Sequence, residues 1–417
     1  MTGTAEHLTD LASRWLGGSV IAASDESFGD KENLLNPADP AFEPGRYGNR
    51  GEIVDGWETK RRREPGHDWA LIRLGAPGII SSVIVDTSFF TGNFPEQCAV
   101  EACGMEGYPS PEELDAPAAE WIGIVPRSEL RGDARNVFEV SDVRRFTHVR
   151  VSAFPDGGVA RLRVLGHVVP DPRGLEQLTI DLASQEYGGL VVASSDDFYT
   201  AAQTLNRPDR ARTMGEGWET RRRRDGGHDF VIFQLAFAGR VRRLIVDTAH
   251  FKYNASASIA AHGCEAISAP AAGSAHDQPG RTAQSAPEWR EILGRTRLQP
   301  DTRHVFDVDC EQSVGAVRLD AFPDGGLSRV RLIGSIDGAA RRSAGYRWFN
   351  SLPASQALVC LAGVGVPQLI ASEMVARRPL QEAWLADLRT QAAPDQGTRP
   401  YVSALATMLE GGARAAV

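Results

Sequence analysis

Gly56-Trp57-Glu58-Thr59-Lys60-Arg61-Arg62-Arg63, followed by Gly66-His67-Asp68-Trp69, returns as Gly217-Trp218-Glu219-Thr220-Arg221-Arg222-Arg223-Arg224 followed by Gly227-His228-Asp229-Phe230. Identical spacing of so many polar and bulky residues marks an internal duplication. The repetition extends outward from this phrase. Ser24-Asp25-Glu26 returns 171 positions on as Ser195-Asp196-Asp197, and Pro37 as Pro208. Ten extra residues in the first copy then reduce the offset to 161, which holds through Val85-Asp86-Thr87 and Val246-Asp247-Thr248 and through Cys103 and Cys264. It ends as 168 at Phe154-Pro155-Asp156-Gly157-Gly158 and Phe322-Pro323-Asp324-Gly325-Gly326. Whole domains are therefore duplicated, over residues 1–168 and 179–336, with a linker containing Pro170, Pro172 and Gly174 between them.

Within each copy the residues alternate with period two, as in Trp69-Ala70-Leu71-Ile72-Arg73-Leu74 and Ala160-Arg161-Leu162-Arg163-Val164-Leu165. Short Val, Ile and Leu runs between Gly, Pro and Asp breaks predict half-buried antiparallel strands. Long helices do not alternate with them, so a mainly β chain with one β-sandwich per copy is expected. Residues 337–417 turn to Ala, Leu, Arg and Gln, and Leu358, Leu361, Leu369, Met374, Leu385 and Leu388 suggest a small, separate set of C-terminal helices. The Ala-, Ser-, Gly- and Pro-rich stretch Ser268 to Ser285 reads as a surface loop of the second copy.

The chain has 417 residues, 42% hydrophobic and 24% charged, enough for two or three domains with adequate cores. A net charge of −9 without a basic arm argues against nucleic acid. Every apolar run falls far short of the roughly 20 residues that cross a bilayer, and the start has no basic end leading into an apolar segment, so a cytoplasmic protein without a membrane partner is expected. Five cysteines, odd and sparse, do not make a disulfide framework. Cys98 and Cys103 read as buried small hydrophobes rather than zinc ligands.

The repeated phrase gathers acids, bases and cations. In a strand-like run alternate residues point to opposite faces, so one or two of Arg61, Arg62 and Arg63, and of Arg222 and Arg223, are expected to face a cleft. There a guanidinium fork grips a carboxylate, and the implied partner is an anionic small molecule. The competing reading is a salt-bridge network with Glu58, Asp68 and Asp86. His67 and His228 suit general acid or base work, or else are buried and bonded to backbone. A metal role for His67 with Asp86 has no HxH or HExxH spacing behind it, so no cofactor is assigned, and a divalent metal stays open. Trp57 and Trp218 read as core plugs. Phe-Pro-Asp-Gly-Gly reads as a turn in which Gly supplies positive φ, with Asp156 and Asp324 able to face a site.

The phrase, taken with Val-Asp-Thr, Phe90-Thr91-Gly92-Asn93-Phe94-Pro95 and Phe-Pro-Asp-Gly-Gly, resembles the allantoicase (allantoate amidinohydrolase) family over about residues 10 to 335. The resemblance implies two tandem jelly-roll sandwiches of galactose-binding-like topology. It also implies hydrolysis of allantoate to ureidoglycolate and urea in purine degradation. Allantoate has a carboxylate for the arginines and two ureido arms for carboxylate acceptors. On that basis Glu58, His67 and Asp86 are expected in acid and base work and Arg62 or Arg63 on the substrate carboxylate. Glu219, His228 and Asp247 form a second site or complete a shared one. Arg61, Arg222, Arg223, Asp156 and Asp324 complete the expected binding residues. The copies depart from one another where Tyr253 replaces Gly92, Ser256 replaces Pro95 and His250 replaces Phe89. Phe154 and Phe322 stand where the family carries Tyr. The alternative is a non-catalytic small-molecule or carbohydrate-binding sandwich, which would show exposed aromatic platforms. Arg, Glu, His and Asp are concentrated here instead, which favours an enzyme.

Around Trp348-Phe349-Asn350-Ser351-Leu352-Pro353 and Ala376-Arg377-Arg378-Pro379 the tail is similar to the start of the ureidoimidazoline decarboxylase family. No histidine follows His304, so a docking or oligomer contact is expected of the tail instead, and with it a homo-oligomer.

Overall fold

The computed structural model describes residues 8–49, 51–117, 119–267, 287–308, 310–392 and 399–411. The loop expected at Ser268 to Ser285 lies outside the described residues.

Each copy is built on one long strand, Asp68–Asp86 in the first and Asp229–Asp247 in the second. Short strands were expected here. Gly75, Pro77 and Gly78 do interrupt the run, but as a corner: the pairing register with Arg145–Phe154 breaks between Arg73 and Gly78. Proline and glycine are tolerated where a strand leaves one ladder for another. Before the corner the strand lies between Ser19–Ala23 and Arg145–Phe154. After it the strand lies between Arg135–Glu139 and Arg161–Val168. Gln97–Cys103 and Ile122–Glu129 extend the first sheet, and Thr9–Asp10 extends the second. All these pairings are antiparallel, and the second copy repeats them.

Alternation decides which face is covered. Ala70, Ile72 and Leu74 from one sheet and Val83, Val85, Leu162 and Val164 from the other share one core with Val149 and Val151, which makes a sandwich. Burying an aliphatic side chain of this kind contributes roughly 1.5–3 kcal/mol. Trp57 and Trp218 are completely buried in their respective cores, as core plugs. The odd-numbered partners Leu71 and Cys103 face the other way, under the short helix Pro111–Asp115, whose Ser110 and Glu113 close a capping box.

Five helices follow the second sandwich, Gly338–Ser351, Ala354–Gly363, Gln368–Ala376, Glu382–Ala392 and Arg399–Glu410. Leu361, Met374 and Leu385 are buried as the spacing predicts, whereas Leu369 is 76% exposed. The tail is not a separate element. Trp348, Phe349 and Leu361 form a core with Val169 and Ile79 of the first copy, and Thr9–Asp171 with Tyr346–Leu409 is one compact unit. The body of the other unit is Pro172–Gly345. No helix among the described residues is long and apolar enough to cross a membrane. Cys98, Cys103 and Cys264 are buried outside any disulfide, and burial pushes the Cys98 and Cys103 thiols up to about 12 and about 11, which removes them as nucleophiles.

Candidate active site

The phrase is anchored by its tryptophan. The Trp57 indole N–H donates to the Asp25 carbonyl at 2.8 Å, and Trp218 does the same to Asp196 at 2.8 Å. The next residue then pairs with the Pro-Asp-Gly-Gly turn, Glu58 with Gly158 and Glu219 with Gly326. Thr59 Oγ1 accepts from the Gly157 amide at 3.0 Å, and Thr220 Oγ1 from Gly325 at 2.7 Å. A Cβ at Gly157 would lie 2.7 Å from the Asn93 carbonyl oxygen, and one at Gly326 would lie 1.9 Å from that of Asn254. Close approach therefore demands glycine in both turns, while φ is positive only in the first, at Gly157.

Arg62 and Arg223 close this loop. The Arg62 amide donates to Asp156 Oδ2 at 2.8 Å, and its Nη1 to the buried Asp68 Oδ1 at 2.8 Å. Ser24 Oγ donates to the same oxygen at 2.9 Å. In the second copy the Arg223 amide meets Asp324 at 3.0 Å and its Nε meets Asp229 at 2.8 Å, with Ser195 at 2.9 Å. For these two arginines the salt-bridge reading holds, with Asp68 and Asp229 as partners, and Asp156 and Asp324 cap the loop from the turn. Arg61, Arg63 and Arg222 are exposed and have no ion-pair partner among the described residues. An open cleft of about 500 Å³ is lined by Ser24, Asp25, Lys60, Arg61, Arg62, Arg63, Glu64 and Asp68.

Glu58 is partly buried and accepts from Asn93 Nδ2 at 2.7 Å. Burial raises its pKa above the usual carboxylate value, against the lowering effect of that hydrogen bond. Glu219 accepts from Asn254 at 2.6 Å. The loop that departs between the copies at Gly92 and Tyr253 thus keeps its one functional amide in both.

Neither His67 nor His228 has its ring bonded to backbone among the described residues. His67 is exposed and lies tilted against Phe154, with centroids 4.6 Å apart. Desolvation lowers its pKa, helped by Arg62 and Arg150. His228 lies tilted against Phe322 with centroids 4.5 Å apart, and its Nε2 lies 3.0 Å from Asp320 Oδ1. Both phenyl rings stand directly before a cis proline.

Asp86 lies elsewhere. Its buried Oδ1 accepts from the Ser88 amide at 2.9 Å and hydroxyl at 2.6 Å, and it sits opposite Arg161 and Arg135 in the ladders. Asp247 accepts from the Ala249 amide at 2.8 Å. It lines a different cleft, of about 540 Å³, with Asp209, Arg303, Arg329 and Arg331. No hydrogen bond or ring contact joins any two of Glu58, His67 and Asp86, nor of Glu219, His228 and Asp247, among the described residues. Asp86 and Asp247 end the strand whose opposite end begins beside the histidine. Nor do any three or more His, Cys, Asp or Glu side chains among the described residues stand together as a metal site.

Sequence reasoning passed over Asp25 and Asp196, Asn93 and Asn254, and the arginine pairs Arg150 with Arg318 and Arg127 with Arg295. Their recurrence at the repeat offset is the signal that finds them.

A profile described as the allantoicase repeat matches residues 9–169 and 180–337. A probable allantoicase of Streptomyces avermitilis is 46% identical over 351 residues, covering 81% of this chain and 89% of its own. One from Nocardia farcinica is 47% identical over 333 residues, covering 79% and 95%. The crystal structure of allantoicase from Saccharomyces cerevisiae is similar with a TM-score of 0.66 and 32% identity, over 79% of this chain and 94% of that one.

Proposed function

This chain belongs to the allantoicase family, and from that membership we propose that it hydrolyses allantoate to ureidoglycolate and urea in purine degradation. It is a hydrolase acting on a ureido C–N bond. The observation that carries the substrate reading is the cleft of the first copy, where exposed Arg61 and Arg63 stand beside Lys60 with His67 in the same loop. Free guanidinium groups take the substrate carboxylate, as Arg222 does in the second copy. Arg62, Arg223, Asp156 and Asp324 shape the loop that presents them. Glu58 and Glu219, steadied by their asparagines, receive ureido N–H groups, Asp86 and Asp247 hold the strand ends, and His67 or His228 moves the proton.

Water adds its oxygen to the central carbon, the C–N pair leaves with the ureido nitrogen, and one proton passes from the water to that nitrogen. Purified protein incubated with allantoate is expected to release urea and ureidoglycolate in equal amounts. Absence of urea release, with and without added divalent cation, overturns the assignment.

Buried Cys98, Cys103 and Cys264, outside any disulfide, support a reducing, cytoplasmic setting. Val359 and Leu369 are exposed on the helical tail, the surface we assign to contact between copies of a homo-oligomer. A monomeric mass in light scattering would contradict it.

A further inference from the structure

Asp320 sits where the first copy has Ser152, and His262 where it has Glu101, so one face of the second sandwich carries a cluster its twin lacks. Asp320 is 4% exposed, on a strand whose neighbours Leu319 and Ala321 point into the core. Its Oδ1 lies 3.0 Å from His228 Nε2 and accepts from Arg318 Nε at 2.8 Å. Its Oδ2 lies 3.2 Å from His262 Nδ1. One buried carboxylate is thus held on both oxygens, by a guanidinium and two imidazoles.

Such a carboxylate fixes a tautomer. The ionised oxygen only accepts, so Nε2 of His228 carries the proton and Nδ1 is left with its lone pair. That nitrogen has no partner among the described residues, and the ring is partly exposed on Phe322. Two cations flank it on aromatic faces, Arg318 over Phe230 at 4.3 Å and Arg295 over Phe322 at 4.1 Å. The first copy keeps the equivalent cations, Arg150 over Trp121 and Arg127 over Phe154. Its carboxylate, however, is Glu101, which pairs with Arg150 at 2.8 Å and, among the described residues, makes no hydrogen bond to His67.

We propose that Asp320 is the positioning residue of the proton-transfer step, and that His228 of the second copy is the catalytic base it orients. This rests on the allantoate reading above. His228 Nδ1 takes the proton of the attacking water as its oxygen bonds to the central carbon. The C–N bond breaks with its electron pair on the ureido nitrogen, and the same proton passes from Nδ1 to that nitrogen. The imidazole returns to its starting state, and urea and ureidoglycolate are the only products. Asp320 stabilises the imidazolium between the two transfers, a service that Ser152 cannot give His67.

The test uses the full chain with allantoate, reading urea release. Asp320→Asn and His228→Gln are each expected to lower kcat about a hundredfold or more, with KM within about threefold. Asp320→Glu is expected to recover at least about tenfold of that loss, and Ser152→Ala to stay within about twofold of wild type. In imidazole 15N spectra of the unliganded wild type, His228 is expected as the Nε2–H tautomer. Wild-type kcat in His228→Gln overturns the proposal, as does the Nδ1–H tautomer; either result stands even where Asp320→Asn fails to fold. Wild-type protein that releases no urea fails the allantoate reading itself, which the tautomer measurement leaves separate.

Discussion

Arg62 Nη1 and Asp68 Oδ1 stand 2.8 Å apart, and the same pair recurs in the second copy as Arg223 Nε and Asp229 Oδ1 at 2.8 Å. The carboxylates are almost completely buried while the guanidinium groups are partly exposed. Removing the cation leaves the anion in a low-dielectric site with only Ser24 on its bonded oxygen. Arg62→Ala is therefore expected to lower stability by about 3 kcal/mol, somewhat less if water reaches Asp68. Urea denaturation checks this, and a change below about 0.5 kcal/mol would show the pair to be idle.

Arg61 and Arg63, by contrast, have no structural work in the loop. Arg61→Ala and Arg63→Ala are each expected to raise KM for allantoate about tenfold, the equivalent of about 1.4 kcal/mol, with unfolding midpoints unchanged. Steady-state kinetics on the two variants decide. Unchanged KM in both would move the carboxylate site elsewhere.

His148 gives the fold a pH dependence. It is 1% exposed, with Thr147 Oγ1 2.8 Å from its Nδ1, and burial lowers its pKa to about 4, from 6.5 when unfolded. Between these values the unfolded chain binds a proton that the folded chain refuses. Its contribution is thus intact above about pH 6.5 and is lost as pH falls towards about 4, by up to about 3 kcal/mol. His67, also lowered, acts in the same direction, while Asp10 and Asp181, whose pKa values burial raises, act against it. The difference between wild type and His148→Gln isolates the term: urea midpoints measured from pH 7.5 to 4.5 should fall more steeply for wild type. Parallel curves would refute it.

The duplication and the alternation of polar and apolar residues were enough to read two β-sandwiches, because burial on one face imposes period two wherever a strand runs. The corner within Asp68–Asp86 was not legible, since Gly75, Pro77 and Gly78 break a local pattern whether the chain turns back or changes sheet. The site was read in part. Spacing brought Glu58 and His67 into one loop, but it says nothing of where Asp86 stands, since Asp86 ends the bent strand that begins next to His67. Asp320 was invisible for a different reason: the repeat marks what the copies share, and Asp320 is one of the places where they differ.

Arg161 and Arg329 show how a duplicated site drifts without losing its chemistry. Arg161 Nε donates to the Ala38 carbonyl and Nη1 to that of Asp55, and Arg329 makes the same bonds to the carbonyls of Asp209 and Glu216, which occupy the equivalent positions. Only the carboxylate has moved: Asp55 Oδ2 meets Arg161 at 2.5 Å, whereas Asp209 Oδ1 meets Arg329 at 2.8 Å. Ala38 holds the place of Asp209. Asp55→Ala strips a guanidinium that is 1% exposed of its counter-charge and is expected to cost about 3 kcal/mol. Adding Ala38→Asp returns a carboxylate from the other side of the ten-residue insertion, and should recover at least half of that loss in urea denaturation. Ala38→Asp alone, placing a second anion beside Asp55, should be neutral or destabilising. Additive, independent effects of the two substitutions would mean that the two carboxylates do not serve the same guanidinium position.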